Sequence, residues 1–196
     1  VGWLLLSGRC AHCDAPISAR YPLVELLTGT LTGLAAWQFG FSPEALSAFI
    51  LIWILIALTG IDIDTQLLPD SMTLALLWIG LAVNLFDTWT SLPSAVMGAM
   101  LGYGSLWSVY WVFKLVTGKE GMGYGDFKLL AALGAWFGWQ TVPVMILLSS
   151  FAGALLGISI LLLRRLERDT PMPFGPYLAG AGLVILFFGE TLMTEY

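Results

Sequence analysis

The chain has 196 residues, of which 58% are apolar and only 11% charged, with a formal net charge of −5 and a mean hydropathy of +0.86. A soluble domain carries roughly 45–50% apolar and about 25% charged residues, so this chain has too little charge to dress a water-facing surface. That excludes a disordered chain, a nucleic-acid binder and an ordinary cytosolic enzyme. It leaves a polytopic membrane protein with lipid as its solvent.

The opening run Val1-Gly2-Trp3-Leu4-Leu5-Leu6 has no basic leader and no small-residue cleavage site, so it does not read as a signal peptide. With no initiator Met, it predicts a processed or truncated chain. Seven apolar stretches follow, near residues 22–40, 44–61, 71–88, 94–116, 126–142, 143–163 and 174–192. Each is close to the roughly 20 residues that a helix needs to cross hydrocarbon. Turn chemistry separates them at Gly40-Phe41-Ser42-Pro43, Leu68-Pro69-Asp70, Ser91-Leu92-Pro93, Thr117-Gly118-Lys119 and Pro171-Met172-Pro173. The break near Pro143 is the least marked. The runs lack period-2 alternation and exceed the roughly 10 residues of a barrel strand. The expected fold is therefore an all-α membrane bundle of about seven transmembrane helices, with no internal repeat.

Glycines four apart at Gly29/Gly33, Gly98/Gly102 and Gly153/Gly157 read as helix-packing surfaces. Trp37, Trp89, Trp136 and Trp139 fall near the expected outer ends of spans, where indole rings favour the interface.

The eight cations are Arg9, Arg20, Lys114, Lys119, Lys128, Arg164, Arg165 and Arg168. With residues 1–21 inside and seven alternating spans, all of them fall at or near the cytoplasmic side. The outer ends carry only acids, namely Glu44, Asp87, Glu190 and Glu195. This obeys the positive-inside rule, and the flipped topology would violate it at every cation.

Ionisable groups at membrane depth cost roughly 2.5–3.5 kcal/mol each on insertion scales. Two acid clusters sit near the inner ends of spans. The first is Asp62-Ile63-Asp64-Thr65-Gln66-Leu67-Leu68-Pro69-Asp70. Here Asp70 reads as an N-cap of the next helix and Asp64 as a loop acid. Asp62 directly follows the apolar run 49–61 and reads as functional. The second cluster is Gly121-Met122-Gly123-Tyr124-Gly125-Asp126-Phe127-Lys128. Its glycines permit backbone geometry and close approach denied to other residues. Asp126 falls at the N-terminus of a short span, where the helix dipole favours an anion; the plain alternative is a flexible glycine loop with an N-cap Asp. Both clusters face one side of the membrane in this topology. Like charges about 3 Å apart cannot both ionise. Such a pair could share a proton, one carboxyl acting as general acid and the other as base toward water. Spacing alone leaves open whether Asp62 and Asp126 meet.

These residues resemble the type IV prepilin leader peptidases. Gly123-Tyr124-Gly125-Asp126 is similar to the GxGD signature of that family and its intramembrane aspartic peptidase relatives. Asp62-Ile63-Asp64 with Leu68-Pro69-Asp70 resembles the family's other aspartate motif. Pro173-Phe174-Gly175-Pro176-Tyr177 and Arg20-Tyr21-Pro22-Leu23-Val24-Glu25-Leu26 also look like family sequence. The likeness spans nearly the whole chain, with four motifs in order.

The resemblance implies a bacterial inner-membrane aspartic endopeptidase, its active site facing the cytoplasm. It would remove the basic leader of prepilin or pseudopilin precursors after a Gly, for a type IV pilus or a type II secretion system. The substrate's own hydrophobic helix would lie in the membrane lipid beside the spans. Asp62 and Asp126 would be the catalytic pair, with Gly123 and Gly125 completing the motif. Many family members then methylate the new N-terminal amine with S-adenosylmethionine, and Glu25 is a candidate for that half of the chemistry. Glu25 otherwise reads as a helix-start acid near Arg20.

Cys10-Ala11-His12-Cys13 departs from the family pattern. A structural zinc needs four ligands, which the family commonly draws from two CxxC pairs. This chain has one, Cys10 and Cys13, resembling the second of the two. The first pair and the family's first span would then precede Val1, making eight spans in a longer form. Residues 1–21 would be what is left of a cytoplasmic zinc-binding, methyltransferase-type domain, and residues 22–196 the peptidase bundle. His12 reads as a solvated loop residue, and a reduced CxxC without metal stays open. Two further readings compete. One is a transporter or proton channel using Asp62 and Asp126 as a relay; it calls for mid-span acids or inverted repeats, and neither is found. The other is an inactive scaffold, which the retained aspartates disfavour.

Overall fold

A computed structural model describes residues 3, 6, 8–119, 121–162 and 173–194. The expectations placed on Arg164, Arg165, Arg168, Glu195, the Pro171-Met172 break and the Glu190 side chain lie outside the described residues.

Seven α-helices follow in order among the described residues: α1 Arg20–Phe39, α2 Pro43–Thr65, α3 Asp70–Val83, α4 Leu92–Thr117, α5 Tyr124–Phe137, α6 Val142–Leu162 and α7 Gly175–Thr194. Short 3-10 turns extend α3 at Asn84–Phe86 and precede α6 at Trp139–Thr141. Among the described residues the sole β feature is an isolated bridge between Arg9 and Pro16. The helices fall where the apolar runs predict them, none interrupted by proline beyond its first turn. Their ends follow the punctuation. Proline stands in the first turn of α2, α4 and α7, where its missing N–H costs nothing. Gly118 ends α4 at φ +70° with its N–H donating to Lys114 O, and Gly138 ends α5 at φ +85°, conformations that favour glycine. Two stretches, Pro43–Thr65 and Trp139–Ser159, are long and apolar enough to cross a membrane by length and composition.

The chain divides into two compact units, Val1–Ile56 and Ala57–Tyr196. In the first, the Trp53 indole donates to Thr32 Oγ1 at 3.1 Å, joining α2 to α1. Ahead of α1, a turn around the CxxC is closed by a 3.0 Å ion pair between Arg9 and Asp14.

In the second unit α5 is the central helix. Every residue from Leu129 to Phe137 is buried, with α3, α4 and α7 packed around it. The approach to α4 is close. A Cβ on Gly98 would run into the backbone carbonyl of Gly134, and one on Gly102 would lie 2.6 Å from Leu130 O. The pair Gly98/Gly102 is thus the packing surface the spacing predicts. Gly29 and Gly33 have open space around them instead, and a Cβ on Gly153 would meet the Tyr177 and Phe174 rings at ordinary contact distance.

Two expectations are corrected here. Trp136 is not an interfacial indole: it is fully buried, and its Nε1–H donates to Leu76 O at 2.9 Å. Its ring fills the space left by Gly80 on α3, and the hydrogen bond removes the polar cost of burying the N–H. Nor does Asp70 cap α3. Pro69 occupies that position without a side-chain bond, while Asp70 lies in the first turn and pairs with Lys128. Asn84 carries no sequence signal, yet it is fully buried. Its amide donates to Ala135 O and Trp136 O, and its oxygen accepts from the N–H groups of Trp89 and Thr90.

Candidate active site

The site forms where four pieces of the second unit converge: the end of α2, the loop after it, and the first turns of α5 and α7. Helical phase selects among the acids of the first cluster. Asp62, Asp64 and Asp70 do not share a face. Asp62 is 4% exposed, whereas Asp64 and Asp70 are exposed. Asp64 is thus a residue of the last turn of α2 rather than of the loop. Three residues after Asp62 the helix stops. Gln66 takes a left-handed conformation at φ +55°, and its N–H closes the last turn on Asp62 O at 2.8 Å. This reversal carries Leu68 back over the helix end.

Asp126 is 7% exposed. It is the third residue of α5, and Gly123 occupies the N-cap position, so the alternative of Asp126 as the cap itself is corrected by one turn. The Gly123 backbone N–H faces its carboxylate. An acid at this position answers the free N–H groups of its own helix start, as the acid of a capping box does. Asp126 is also within electrostatic range of Asp62. The two acids that spacing could not join thus come within that range from positions 64 apart in the chain.

The third contributor is α7. The Gly175 N–H donates to Asp62 Oδ2 at 3.0 Å in a buried contact. A Cβ on Gly175 would lie 2.6 Å from Asp62 Oδ2 and 3.3 Å from Leu68 Cδ1. A Cβ on Gly125 would lie 2.7 Å from Leu68 Cβ. Leu68, itself 9% exposed, thus fits between two glycines. Gly123 is different: its φ of −80° suits any residue, and a Cβ there would meet Asp126 Oδ2 at 3.8 Å. Beside the acids, Tyr124, Phe127 and Tyr110 pack ring against ring, with centroids 5.3–5.7 Å apart.

Chemically, the arrangement is two buried carboxyl groups, each facing a backbone N–H. A water admitted beside them could lose a proton to one carboxylate while the other donates one.

Residues 49–158 match the type IV leader peptidase family. The chain belongs to that family. Residues 1–39 match the bacterial peptidase A24 N-terminal domain. The chain is 58% identical over all its 196 residues to the prepilin leader peptidase/N-methyltransferase of Stutzerimonas stutzeri, and covers 68% of that protein. It is 57% identical, with the same coverage, to the proteins of that name from Aeromonas hydrophila and Pseudomonas aeruginosa. No solved structure matches.

The other sequence-predicted sites lie in the first unit. The N–H groups of His12 and then Cys13 face Cys10 and hold its thiol below the ordinary range. Cys13 is exposed. Two thiols make half of a tetrahedral zinc set. No group of three or more metal-ligating side chains occurs among the described residues. Glu25 is exposed on α1. Neither group enters the chemistry below.

Proposed function

We propose that this chain is the peptidase portion of a prepilin-processing enzyme. In this reading it cleaves the leader from a pilin-like precursor with Asp62 and Asp126 as its catalytic pair. The observation that carries the reading is the convergence of these two buried acids in one site, within a chain of this family. One carboxylate takes a proton from water as the water oxygen bonds to the scissile carbonyl carbon. The other carboxyl donates its proton to the carbonyl oxygen. Collapse of the resulting gem-diol breaks the C–N bond. The amine leaves with a proton, and the leader keeps a carboxyl end. Gly123 and Gly125 serve the site by placing a backbone N–H and by making room for Leu68.

The cation distribution supports a site facing the cytoplasm from a bacterial inner membrane, with the precursor's hydrophobic helix in the lipid beside the bundle. Residues 22–196 would form that bundle, and residues 1–21 belong to a cytoplasmic domain. The relatives' names also carry N-methyltransferase activity. We extend it to the longer protein, with S-adenosylmethionine as methyl donor.

The test uses the protein in detergent or lipid with a pilin precursor, alongside Asp62→Asn and Asp126→Asn. The parent is expected to release the leader, and each variant to lose cleavage by at least about 100-fold while staying folded. Cleavage surviving in both variants would sink the pair.

A further inference from the structure

The segment Pro173-Phe174-Gly175-Pro176-Tyr177 has no part in the chemistry above, yet it delivers a backbone donor to one of the two acids. We propose that Gly175 is a positioning residue of the peptidase, its amide fixing the Asp62 carboxylate for reaction. The inference rests on the aspartic-pair reading.

Three observations point to it. The Gly175 N–H to Asp62 Oδ2 bond joins residues 113 apart and is buried, so water does not compete for either partner. Gly175 is the first residue of α7, so its N–H is free of the helix's own ladder and available to an outside acceptor. Its missing Cβ is filled by the acceptor itself: a Cβ would lie 2.6 Å from Oδ2 and 3.1 Å from Cγ of Asp62. The requirement for glycine is thus one of contact with the carboxylate. Pro173 and Pro176 flank the donor; Pro176 offers no N–H of its own, which leaves Gly175 to meet the acid. Any side chain at 175 would swing Asp62 off its present rotamer, and a misplacement of about 1 Å can cost roughly 100-fold in rate.

Four proteins separate the outcomes, each in detergent with a pilin precursor: the parent, Gly175→Ala, Asp62→Asn, and Gly180→Ala as a control on the same helix. Gly180 has open space where a Cβ would stand. Gly175→Ala is expected to lower kcat by about 100-fold with KM within about threefold, and Gly180→Ala to match the parent. Should Gly175→Ala fail to fold, glycolic acid incorporated at position 175 replaces the N–H by an ester oxygen and adds no atom. It should lower kcat by about 10-fold or more, as loss of one hydrogen bond to a charged group does. Near-parental kcat in Gly175→Ala or in the ester overturns the inference, as does an equal loss in Gly180→Ala. If Asp62→Asn still cleaves, it is the underlying aspartic-pair reading that fails.

Discussion

Lys128, two residues beyond Asp126 on α5, is ion-paired with Asp70 in the first turn of α3. The pair ties together the starts of two helices that flank the candidate site, and both partners come from the clusters that stand out in the sequence. Its energy is small, because the Asp70 side chain is 61% exposed and the Lys128 side chain 25% exposed. Exposed pairs contribute about 0.2–1 kcal/mol and weaken with salt. A double-mutant cycle of Lys128→Met and Asp70→Asn, read by denaturant unfolding in detergent, should give a coupling of about 0.5 kcal/mol or less at 0.15 M salt. A coupling above about 2 kcal/mol would mean that the pair is shielded from solvent.

The α4–α5 contact depends on glycine at one position and not at another six residues on. At Gly98 the obstacle is backbone of α5, which cannot rotate aside. Gly98→Ala should therefore destabilise by about 1–3 kcal/mol or more, as overpacking does. Gly104, with open space around it, should accept Ala with no loss, or a gain of up to about 1 kcal/mol in helix propensity. Unfolding midpoints of the two variants side by side decide the matter, and equal effects would refute the contact.

Asn84 anchors the end of α5 through two donated bonds and the loop before α4 through two accepted ones. Asn84→Ala strands buried carbonyls and N–H groups at a cost of about 1–3 kcal/mol for each group left without a partner. The expected result is a loss of several kcal/mol, with faster proteolysis between α3 and α4. A thermal midpoint within 2 °C of the parent, an interval of about 0.5–1 kcal/mol, would contradict the anchoring role.

Within the Gly123-Tyr124-Gly125-Asp126 motif the two glycines should part company. Gly125→Ala drives a methyl into Leu68 and should cut precursor cleavage by about 10-fold or more. Gly123→Ala leaves its φ and its N–H in place and should keep cleavage within about threefold. Initial rates with one precursor check both, and the reverse order would show that Gly123 acts through something other than its amide.

The sequence by itself determined the all-helical architecture, the near positions of seven helices, and the two acid clusters. These rest on local physics: unbroken apolar runs form helix in lipid, Pro and Gly punctuate them, and a carboxylate beside an apolar run calls for explanation. It also carried the family likeness through short motifs. Only the tertiary structure decided which acid of Asp62, Asp64 and Asp70 turns inward, since that depends on helical phase and on where Gln66 reverses the chain. It decided as well that Asp62 and Asp126 come within electrostatic range of each other, that Leu68 packs between Gly125 and Gly175, and that the Gly175 amide reaches Asp62 from 113 residues away. Trp136 and Asn84 belong with these. Composition places indoles at the interface, but a buried hydrogen-bond partner on another helix reverses that for Trp136, and nothing along the chain marks Asn84 as a buried anchor. Such contacts are pairwise and long-range, and no periodicity along one chain encodes them.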